Sequence, residues 1–336
     1  MKVLITGGAG YIGATIGSAC LDAGHEVVVL DDLSTGRREY AEGREFVEGD
    51  VGDPALLDSV LGRGDIDAVV HCAASIIVPE SVEDPLGYYR NNVAKSIELA
   101  DALVRHGVRR VVFSSSASVY APVQTEGTSA EQFLVTESSP LGPQSPYART
   151  KAMMEWVLAD VAATGALSVL PLRYFNPLGA DPKLRTGQQV ADQTHVLGRI
   201  MNADLNDEIF TITGCDWPTP DGSGLRDYIH VWDLALAHVA ALENIDEVCA
   251  DERYVPINIG TGQPSTVRDL VRAYEETTGR IVNVQEGPPR PGDVAGVYAS
   301  ADSAERLLGW RAQHTLAEGI RDALAWQELR PQRLGY

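Results

Sequence analysis

The sequence is poor in cysteine and in basic side chains, and it has no long apolar run. Its four cysteines are scattered without the spacing of a metal site (Cys20, Cys72, Cys215 and Cys249). We therefore expect reduced thiols, a cytoplasmic location and no metal centre. No stretch reaches membrane-spanning length and the chain starts directly with a predicted strand, so neither a membrane anchor nor a signal peptide is expected.

The charge balance is strongly acidic. Lysine and arginine together number 27 against 47 aspartate and glutamate residues, which gives a formal net charge of −20. Such a balance argues against nucleic acid as a partner. A negatively charged substrate would need arginines gathered locally to hold it. The length of 336 residues suits one large domain or two modest ones with a substantial core.

Predicted strands and helices alternate through the first half of the chain. The strands are Lys2–Thr6, Glu26–Leu30, Glu45–Val47, Ala68–His71, Arg110–Ser114 and Ser168–Leu172. The helices between them are 11–23, Pro54–Leu61, Gly87–His106 and Pro146–Thr164. This alternation predicts an α/β fold, a doubly wound parallel sheet (Rossmann-like) with ligand at the carboxyl ends of its strands.

The second half is predicted to add a smaller carboxyl-terminal α+β substrate lobe. Its elements are an irregular segment 177–193, a helix Val231–Leu242, a strand Pro256–Ile259 that rejoins the main sheet, and a lobe Thr266–Trp326. We expect residues 1–176, joined by 231–262, to form a cofactor-binding domain. Residues 177–230 and 263–336 are then the substrate-binding lobe. The long acidic loop 121–143 has no function that its sequence reveals.

A glycine-rich turn follows the first strand. Gly7, Gly10 and Gly13 fit the pattern G-x-x-G-x-x-G, which permits close approach of the backbone to a pyrophosphate at a helix amino terminus. Asp31 ends the second strand, about 20 positions on, where a carboxylate suits a ribose 2′-hydroxyl and repels a 2′-phosphate. Arginines at 37–38 could argue for NADP. Asp31 is better placed, so we expect NAD.

A tyrosine and a lysine four residues apart on a predicted helix place both side chains on one face. These are Tyr147 and Lys151. An ammonium group favours a neighbouring phenolate, so we expect Lys151 to lower the pKa of Tyr147. Such a phenolate can take a proton from a sugar or alcohol hydroxyl near neutral pH. Ser116, at the end of an apolar run, could hold the same hydroxyl oxygen, and the predicted catalytic residues are therefore Ser116, Tyr147 and Lys151.

Five motifs carry a resemblance to a known family. They are Thr6–Gly13, Ser114–Tyr120, Gln144–Lys151, Arg173–Ala180 and Gly222–Val231. On these motifs the chain resembles the extended short-chain dehydrogenase/reductases and, within them, the UDP-glucose 4-epimerases (UDP-galactose 4-epimerases), from Met1 to about Trp326. The first motif and the Tyr-Lys pair mark the superfamily only. The last three motifs together are much more specific to the epimerases.

The resemblance implies NAD-dependent epimerisation at C4 of a UDP-hexose through a transient 4-keto sugar. Tyr147 would take the proton of the sugar 4-hydroxyl while NAD accepts the hydride from C4 and later returns it to the other face. Lys151 would bind the nicotinamide ribose, and Ser116 would bridge the sugar oxygen and the tyrosine. The resemblance also implies a homodimer formed through the helices Gly87–His106 and Pro146–Thr164.

The expected cofactor contacts lie in the glycine turn and at strand ends. They are Gly7, Gly10, Tyr11, Ile12, Gly13, Asp31, Asp50, Val51, Cys72, Ala73, Ala74, Asn91, Ser114, Tyr147, Lys151, Tyr174 and Phe175. The resemblance implies a separate set for the UDP-sugar. Those residues are Ser116, Tyr147, Asn176, His195, Val196, Thr211, Ile212, Thr213, Arg226, Arg290, Asp293 and Val297.

Within the substrate set, each arginine has an alternative role. Arg226 and Arg290 would bind phosphate bidentately. Arg226 could instead pair with Asp227, and Arg290 could be an ordinary loop arginine. Asn176 would contact the diphosphate or sugar and Asp293 the uridine ribose. Residues 211–213 would run beside the uracil.

Besides a small departure at Ala121, where many relatives place a glycine, three positions depart from the family pattern. Ile76 stands where many relatives place a lysine near the nicotinamide, which puts part of the NAD contact in doubt. His195 stands where many have an asparagine, and could be a sugar or phosphate donor or a structural loop histidine. Val297 stands where epimerases confined to glucose and galactose tend to have tyrosine. A valine could admit a 2-acetamido group, or it could be a plain core residue.

Two other functions stay open at this point. A UDP-glucuronate 4-epimerase would differ only at the sugar C6 group, and the sequence does not locate a cluster for it. A non-catalytic NAD-binding sensor or scaffold is the reading from another class, since this fold also supports such proteins. The joint presence of Ser116, Tyr147 and Lys151 argues against a silent protein, because a sensor has no need of a tuned phenol.

Overall fold

A parallel sheet forms the centre of the protein. The structure is a computed structural model and describes residues 1–123, 127–191, 193–290 and 293–335. The strands are β1 (Lys2–Thr6), β2 (Glu26–Asp31), β3 (Glu45–Glu48), β4 (Ala68–His71), β5 (Arg110–Ser116), β6 (Leu134–Val135), β7 (Ser168–Tyr174), β8 (Asn176–Leu178), β9 (Phe210–Thr213), β10 (Leu225–His230), β11 (Ile257–Ile259), β12 (Pro264–Thr266), β13 (Val284–Gly287) and β14 (Tyr298–Ala299). The helices are α1 (Tyr11–Asp22), α2 (Pro54–Leu61), α3 (Val78–Glu83), α4 (Pro85–Tyr89), α5 (Lys95–His106), α6 (Pro146–Ala163), α7 (Val196–Leu205), α8 (Val231–Val248), α9 (Val267–Thr278), α10 (Asp302–Leu308) and α11 (Leu316–Leu334).

Within the described residues, the main sheet has seven strands in the order β11-β7-β5-β4-β1-β2-β3, and every neighbouring pair is parallel. The chain runs outward from β1 in both directions, so the strand order reverses between β1 and β4. In such sheets ligands bind at the carboxyl edge near this reversal. The predicted doubly wound α/β fold is confirmed.

The strands are apolar on both faces because helices cover both sides of the sheet. Successive side chains of a strand point to opposite faces. Val3 and Ile5 accordingly pack with α1 and α8, whereas Leu4 and Val28 pack with α2, α5 and α6. No helix of the described residues is both long and apolar enough to span a membrane.

The second lobe is assembled from later segments. A three-stranded sheet has the order β12-β10-β8, and a parallel pair joins β9 to β13. Helices α7, α9 and α11 enclose its core, which includes Leu197, Leu270, Tyr274 and Ile320. The strand β11 pairs with β7 at the edge of the main sheet. The chain thus leaves the main sheet after β7 and returns to it at β11 before it completes the second lobe.

The predicted helical stretch Gly87–His106 is helical throughout, but it begins earlier and contains a π-helical turn. The helical region begins at Pro85, because Asp84 accepts a hydrogen bond from the Gly87 N–H and a proline fits the first helical position. A π-helical turn at Arg90–Ala94 then separates α4 from α5. The wider turn brings the buried Asn92 amide against Ser75, to whose carbonyl it donates at 2.9 Å.

Several other predicted boundaries were too short. Strands β5 and β7 continue to Ser116 and Tyr174, because these two polar ends pair with each other in register. Helix α8 extends to Val248, and α11 continues to Leu334. The segment 121–143 is not a simple loop, since it contains β6, which pairs in parallel with β14.

Candidate active site

The glycine-rich turn joins β1 to α1 at the carboxyl edge of the sheet. Gly7 has a φ of 68°, which favours glycine. A Cβ on Gly7 would lie 2.7 Å from the Ala73 nitrogen, and one on Gly13 would lie 2.3 Å from the Gly7 carbonyl oxygen. Gly10 is the N-cap of α1 and offers no side-chain cap, so first-turn N–H groups remain for another acceptor. The turn therefore fits an anionic group.

The first two residues of α1 fix the turn against its surroundings. The Tyr11 hydroxyl donates a hydrogen bond of 2.8 Å to the carbonyl of Gly179, which follows β8 in the second lobe. Ile12 packs against the core on the α1 face of the sheet. The glycine turn is thus held by both lobes.

Asp31 ends β2 with its carboxylate directed into the glycine turn. One oxygen accepts a hydrogen bond from the Ala9 N–H at 2.9 Å, and the other accepts one from the Leu33 N–H at 2.8 Å. Burial raises the pKa of Asp31, while these two bonds act to lower it. Arg38 forms an ion pair with Glu48. An acidic group at this place fits a ribose hydroxyl pair.

Asp50 and Val51 follow β3. Asp50 accepts a hydrogen bond of 2.6 Å from the Lys95 ammonium. Burial acts to raise the pKa of Asp50, but bonds from Lys95 and a backbone N–H outweigh it and the pKa is lowered. Val51 is buried with the apolar residues on the α2 side of the sheet. Both residues lie at the carboxyl edge, one strand away from Asp31.

The residues after β4 and at the end of β7 line the middle of the same edge. Cys72 follows β4, and burial raises the pKa of its thiol to about 12. Ala73 and Ala74 continue the chain beside the glycine turn. The buried Tyr174 hydroxyl hydrogen-bonds the Nε2 of His238, and Phe175 is buried directly after it. These side chains form an apolar wall with few free polar groups.

Asn91 lies in the π-helical turn Arg90–Ala94. Its amide donates to the Ser75 hydroxyl and to the side-chain oxygen of Asn92, each at 3.1 Å. Sequence reasoning missed Asn92, which is buried and donates 3.1 Å to the Thr150 hydroxyl on α6. The asparagine doublet inside a predicted helix was the signal that could have indicated it.

Ser116, Tyr147 and Lys151 meet where β5 ends against the start of α6. Ser116 is the last residue of β5, and its side chain lies close enough to Tyr147 to lower the pKa of the tyrosine. Lys151 is almost fully buried and donates 2.6 Å to the Ser114 carbonyl. The Ser118 hydroxyl donates 2.9 Å to the Ser116 hydroxyl. The structure therefore brings the three predicted catalytic residues together.

The expected lowering of the Tyr147 pKa by Lys151 was wrong for the protein alone. Burial raises the pKa of Tyr147, and the nearby Ser116 side chain acts in the other direction. Lys151 instead directs its ammonium to the Ser114 carbonyl. Burial also lowers the pKa of Lys151 to about 8. A positive group beside Tyr147 would favour its phenolate.

Arg226 does not use its neighbour Asp227, so the alternative of a simple pair is excluded. Among the described residues its guanidinium donates to the carbonyls of Leu225 at 2.7 Å, Ala295 at 3.1 Å and Val294 at 3.3 Å. Burial lowers the pKa of Arg226. Carbonyls orient this guanidinium but do not neutralise it, and an anion would.

Arg290 and Asp293 form an ion pair with each other. The Arg290 Nε donates 3.1 Å to one Asp293 oxygen, and its Nη2 donates 3.3 Å to the other. The arginine side chain is 57% exposed and the aspartate 18%. Both charges are close enough to influence Arg226. The loop that follows β13 thus gathers two guanidinium groups and one carboxylate.

The remaining substrate candidates in the second lobe lie on β8 and β9. Asn176 is exposed at the start of β8, which pairs with β10. Thr211 and Thr213 are half-buried on β9, and β9 pairs with the strand leading to Arg290. Ile212 is buried in the lobe core, so only its backbone can face a ligand.

His195 has a structural role, and one of its nitrogens is still without a partner. It is the N-cap of α7, and its Nδ1 accepts a hydrogen bond of 3.2 Å from the Gly198 N–H. Within the described residues its buried Nε2 has no hydrogen-bond partner. Burial lowers the pKa of His195 to about 4. Val196 follows as the first residue of α7 and is half-buried.

The structure also shows the surroundings of the other two departures from the family pattern, Val297 and Ile76. Val297 packs against a small apolar cluster with Ala117 and Phe175. Ala117 in this cluster follows β5, the catalytic strand, which ends at Ser116. Val297 is therefore a packing residue, and it lies beside Phe175, one of the predicted cofactor contacts. Ile76 is 61% exposed between β4 and α3.

A nucleotide-binding α/β enzyme with a Ser–Tyr–Lys site is the class that this fold and geometry define. The chain belongs to the NAD dependent epimerase/dehydratase family, whose pattern it matches over residues 3–260. It is 43% identical to the UDP-glucose 4-epimerase of Azospirillum brasilense, over 99% of this chain and 94% of the relative. The resemblance inferred from the motifs is confirmed.

Solved structures share the fold closely. One is the UDP-glucose 4-epimerase from Stenotrophomonas maltophila with bound NAD and formylated UDP-arabinopyranose, with a TM-score of 0.90, 38% identity and 99% coverage of both chains. Two other solved structures are described with different sugars. The UDP-Glc/GlcNAc 4-epimerase from Campylobacter jejuni has a TM-score of 0.80, 33% identity and coverage of 97% and 99%. MoeE5 in complex with UDP-glucuronic acid and NAD has a TM-score of 0.80, 31% identity and coverage of 98% and 99%.

Proposed function

We propose that this protein is an NAD-dependent UDP-hexose 4-epimerase that interconverts UDP-glucose and UDP-galactose. The observation that carries the proposal is the meeting of Ser116, Tyr147 and Lys151 beside a glycine turn shaped for a dinucleotide. The full-length similarity to UDP-glucose 4-epimerases supports it.

NAD fits the residues that the structure places at the carboxyl edge. The pyrophosphate would rest on the uncapped amino terminus of α1, and Asp31 would accept the hydroxyls of the adenosine ribose. Asp50 and Val51 would border the adenine, while Asn91 and the buried wall of Cys72, Ala73, Ala74, Tyr174 and Phe175 would enclose the nicotinamide half. When bound, NAD supplies the hydride chemistry by accepting a hydride from the sugar C4 and returning it.

The protein residues supply the proton chemistry and the orientation. Tyr147 accepts the proton of the sugar 4-hydroxyl at its phenolic oxygen and returns it at the end of the cycle. Ser116 holds the same sugar oxygen. A positive charge beside the phenol offsets the effect of burial on its pKa. Lys151, with a pKa of about 8, carries a proton at neutral pH and faces the same edge.

The diphosphate is assigned to Arg226 and Arg290. Arg226 is already oriented by three carbonyls, so it needs no rearrangement to meet an anion. Arg290 would turn from Asp293 towards phosphate, which frees Asp293 for the uridine ribose hydroxyls. The uracil would lie along 211–213, and Asn176 and His195 with Val196 would contact the diphosphate or sugar. This arrangement explains how an acidic chain can bind an anionic substrate.

The finer substrate proposal includes the 2-acetamido sugars UDP-GlcNAc and UDP-GalNAc. Val297 occupies less space than a tyrosine would, at the border of the site with Phe175. The similarity to an epimerase named for UDP-Glc and UDP-GlcNAc is consistent with this. UDP-glucuronate remains the second candidate, on the similarity to a structure that holds UDP-glucuronic acid.

We also propose a homodimer, a cytoplasmic location and the two-part division of the chain stated above. Exposed apolar side chains lie on neighbouring helices, namely Leu86 on α4, Ile97 and Val104 on α5, and Trp156 on α6. A second copy would cover them. Trp156→Glu is expected to give a monomer by sedimentation analysis, whereas Ile281→Glu, at an exposed apolar residue in the second lobe, leaves the dimer intact. Equal sedimentation of both variants and the parent would contradict this interface.

The function is tested by incubating the purified protein with UDP-galactose, UDP-GalNAc and UDP-galacturonate in parallel and separating the products by chromatography. Formation of UDP-glucose supports the proposal, and UDP-GlcNAc supports the wider specificity. If only UDP-galacturonate gives a product, the protein is better described as a UDP-glucuronate 4-epimerase. No product from any of them, with NAD supplied, would refute the enzymatic proposal.

A further inference from the structure

The carboxylate of Glu155, on α6, is completely buried behind the catalytic strand. It accepts a hydrogen bond from the Ser115 hydroxyl on β5. It also accepts one of 2.9 Å from the Tyr254 hydroxyl, which approaches from the opposite side. Arg173 on β7 completes the set, with its Nε at 3.0 Å from one carboxylate oxygen and its Nη2 at 2.6 Å from the other. The Glu155 carboxylate thus connects α6 to the strands β5 and β7.

Glu155 continues the spacing of the two catalytic residues before it. Tyr147, Lys151 and Glu155 are successive members of an i, i+4, i+8 series, so they lie on one face of α6. Each faces a residue at the end of β5. Tyr147 lies beside the side chain of Ser116, Lys151 donates to the carbonyl of Ser114, and Glu155 accepts a hydrogen bond from the side chain of Ser115. Two of these strand residues are thereby hydrogen-bonded to the same helix, next to the catalytic Ser116.

The ion pair with Arg173 holds the Glu155 carboxylate in a fixed position. The side chains are 4% and 0% exposed, and a bidentate guanidinium–carboxylate pair fixes both orientation and distance. The remaining Nη1 of Arg173 donates 3.0 Å to the Tyr120 hydroxyl, just beyond the catalytic strand. A carboxylate held on so many sides can hold the Ser115 hydroxyl without moving.

We propose that Glu155 is a positioning residue, which acts through the Ser115 hydroxyl to set the register of β5 against α6 and so aligns Ser116 with Tyr147. This inference rests on the proposed function, because it assigns Glu155 a role in the same reaction. Successive side chains of a strand point to opposite faces, so the Ser115 hydroxyl acts on Ser116 through the strand. A displacement of about 1 Å at a catalytic group can lower the rate by up to about two orders of magnitude.

Replacing Glu155 itself would leave Arg173 buried and unpaired, and the variant would be too damaged to interpret. The test therefore removes one hydroxyl donor at a time from the intact ion pair. Ser115→Ala removes the donor on the catalytic strand. Tyr254→Phe removes the donor on the opposite side and is the matched control, since both variants lose one buried hydrogen bond to the same carboxylate. Both should lower the unfolding temperature by a similar amount, about 1–3 °C.

The readouts are kcat, KM and the pH profile of kcat/KM with UDP-galactose. For Ser115→Ala we expect a fall in kcat of about tenfold with KM unchanged. The rising limb of the pH profile should move to higher pH by about half a unit, because a weaker Ser116 bond leaves the Tyr147 pKa higher. Tyr254→Phe should match the parent in all three readouts.

The outcomes separate this inference from the proposed function. If the parent and Tyr254→Phe are active and Ser115→Ala matches them, the positioning role is refuted. It is also refuted if both variants lose activity equally, since stability alone would then account for the loss. If the parent itself and both variants produce no UDP-glucose, the proposed function has failed instead.

Discussion

Arg226 and Asp227 are adjacent on β10 and turn to different partners. Asp227 accepts hydrogen bonds from the Thr261 hydroxyl at 2.7 Å and from the N–H groups of Thr261, Gly262 and Ala299. The Arg226 guanidinium donates to carbonyls on the other side of the strand. Asp227 thus links β10 to the segment that follows β11 and to β14, and Arg226 keeps a positive charge available for an anion.

Arg226→Lys should weaken the binding of UDP by about 10–100-fold, because an ammonium cannot reproduce an oriented bidentate contact. Titration calorimetry with UDP measures this directly. The control is Arg280→Lys, at an exposed arginine that pairs with Asp204 outside the site. Unchanged affinity in the Arg226 variant would show that the diphosphate binds elsewhere.

Tyr147→Phe should lower kcat by about two to four orders of magnitude, the usual contribution of a positioned acid–base group. The phenyl ring keeps the packing, so the NAD content released on denaturation should equal that of the parent. Tyr274→Phe is the control, since its hydroxyl bonds Asp204 in the second lobe. Substantial activity in the Tyr147 variant would mean that the proton acceptor has been wrongly assigned.

Val297→Tyr should reduce turnover of UDP-GlcNAc far more than turnover of UDP-glucose. The added ring would fill the space beside Phe175 that an N-acetyl group needs. The two rates are compared at saturating substrate, with Val82→Tyr on the exposed surface of α3 as the control. An equal loss with both sugars would refute a specificity role for this position.

Buried histidines should make the protein less stable in mild acid. Burial lowers the pKa of His238 to about 4 and that of His71 to about 3. Both pKa values lie below the ordinary 6.5 of the unfolded chain, so their stabilisation is present above pH 6.5 and is lost as the pH falls towards 4. Between pH 7 and pH 5.5 each should remove about 1 kcal/mol of unfolding free energy.

His238→Gln tests this dependence, because glutamine does not titrate in this range. Urea unfolding at pH 7 and pH 5.5 should show a loss of stability smaller by about 1 kcal/mol in the variant than in the parent. Parallel losses in the two proteins would contradict a buried neutral His238.

The main sheet could be predicted well from the sequence, whereas the side-chain interactions behind it could not. Apolar runs such as Lys2–Thr6 and Ala68–His71 are visible as strands because both faces are buried. The catalytic tyrosine and lysine follow from helical spacing. The π-helical turn Arg90–Ala94 could not be predicted, since it leaves no change in composition.

Side-chain partners depended on tertiary contacts that spacing does not reveal. Glu155 is bonded to residues up to 99 positions away in the chain. We expected Lys151 to lower the pKa of Tyr147, but burial raises that pKa. The Lys151 ammonium donates to the Ser114 carbonyl instead. Pairwise helical spacing places two side chains on one face, but it does not show what else competes for them.

In a 4-epimerase with a retained NAD, the sugar C4 hydrogen leaves and returns within one bound complex. The most direct test is to incubate the purified protein, without added cofactor, with UDP-galactose deuterated at C4, and to examine the product by mass spectrometry and proton NMR. We predict UDP-glucose that retains the deuterium at C4. UDP-glucose carrying solvent hydrogen at C4 would contradict the account.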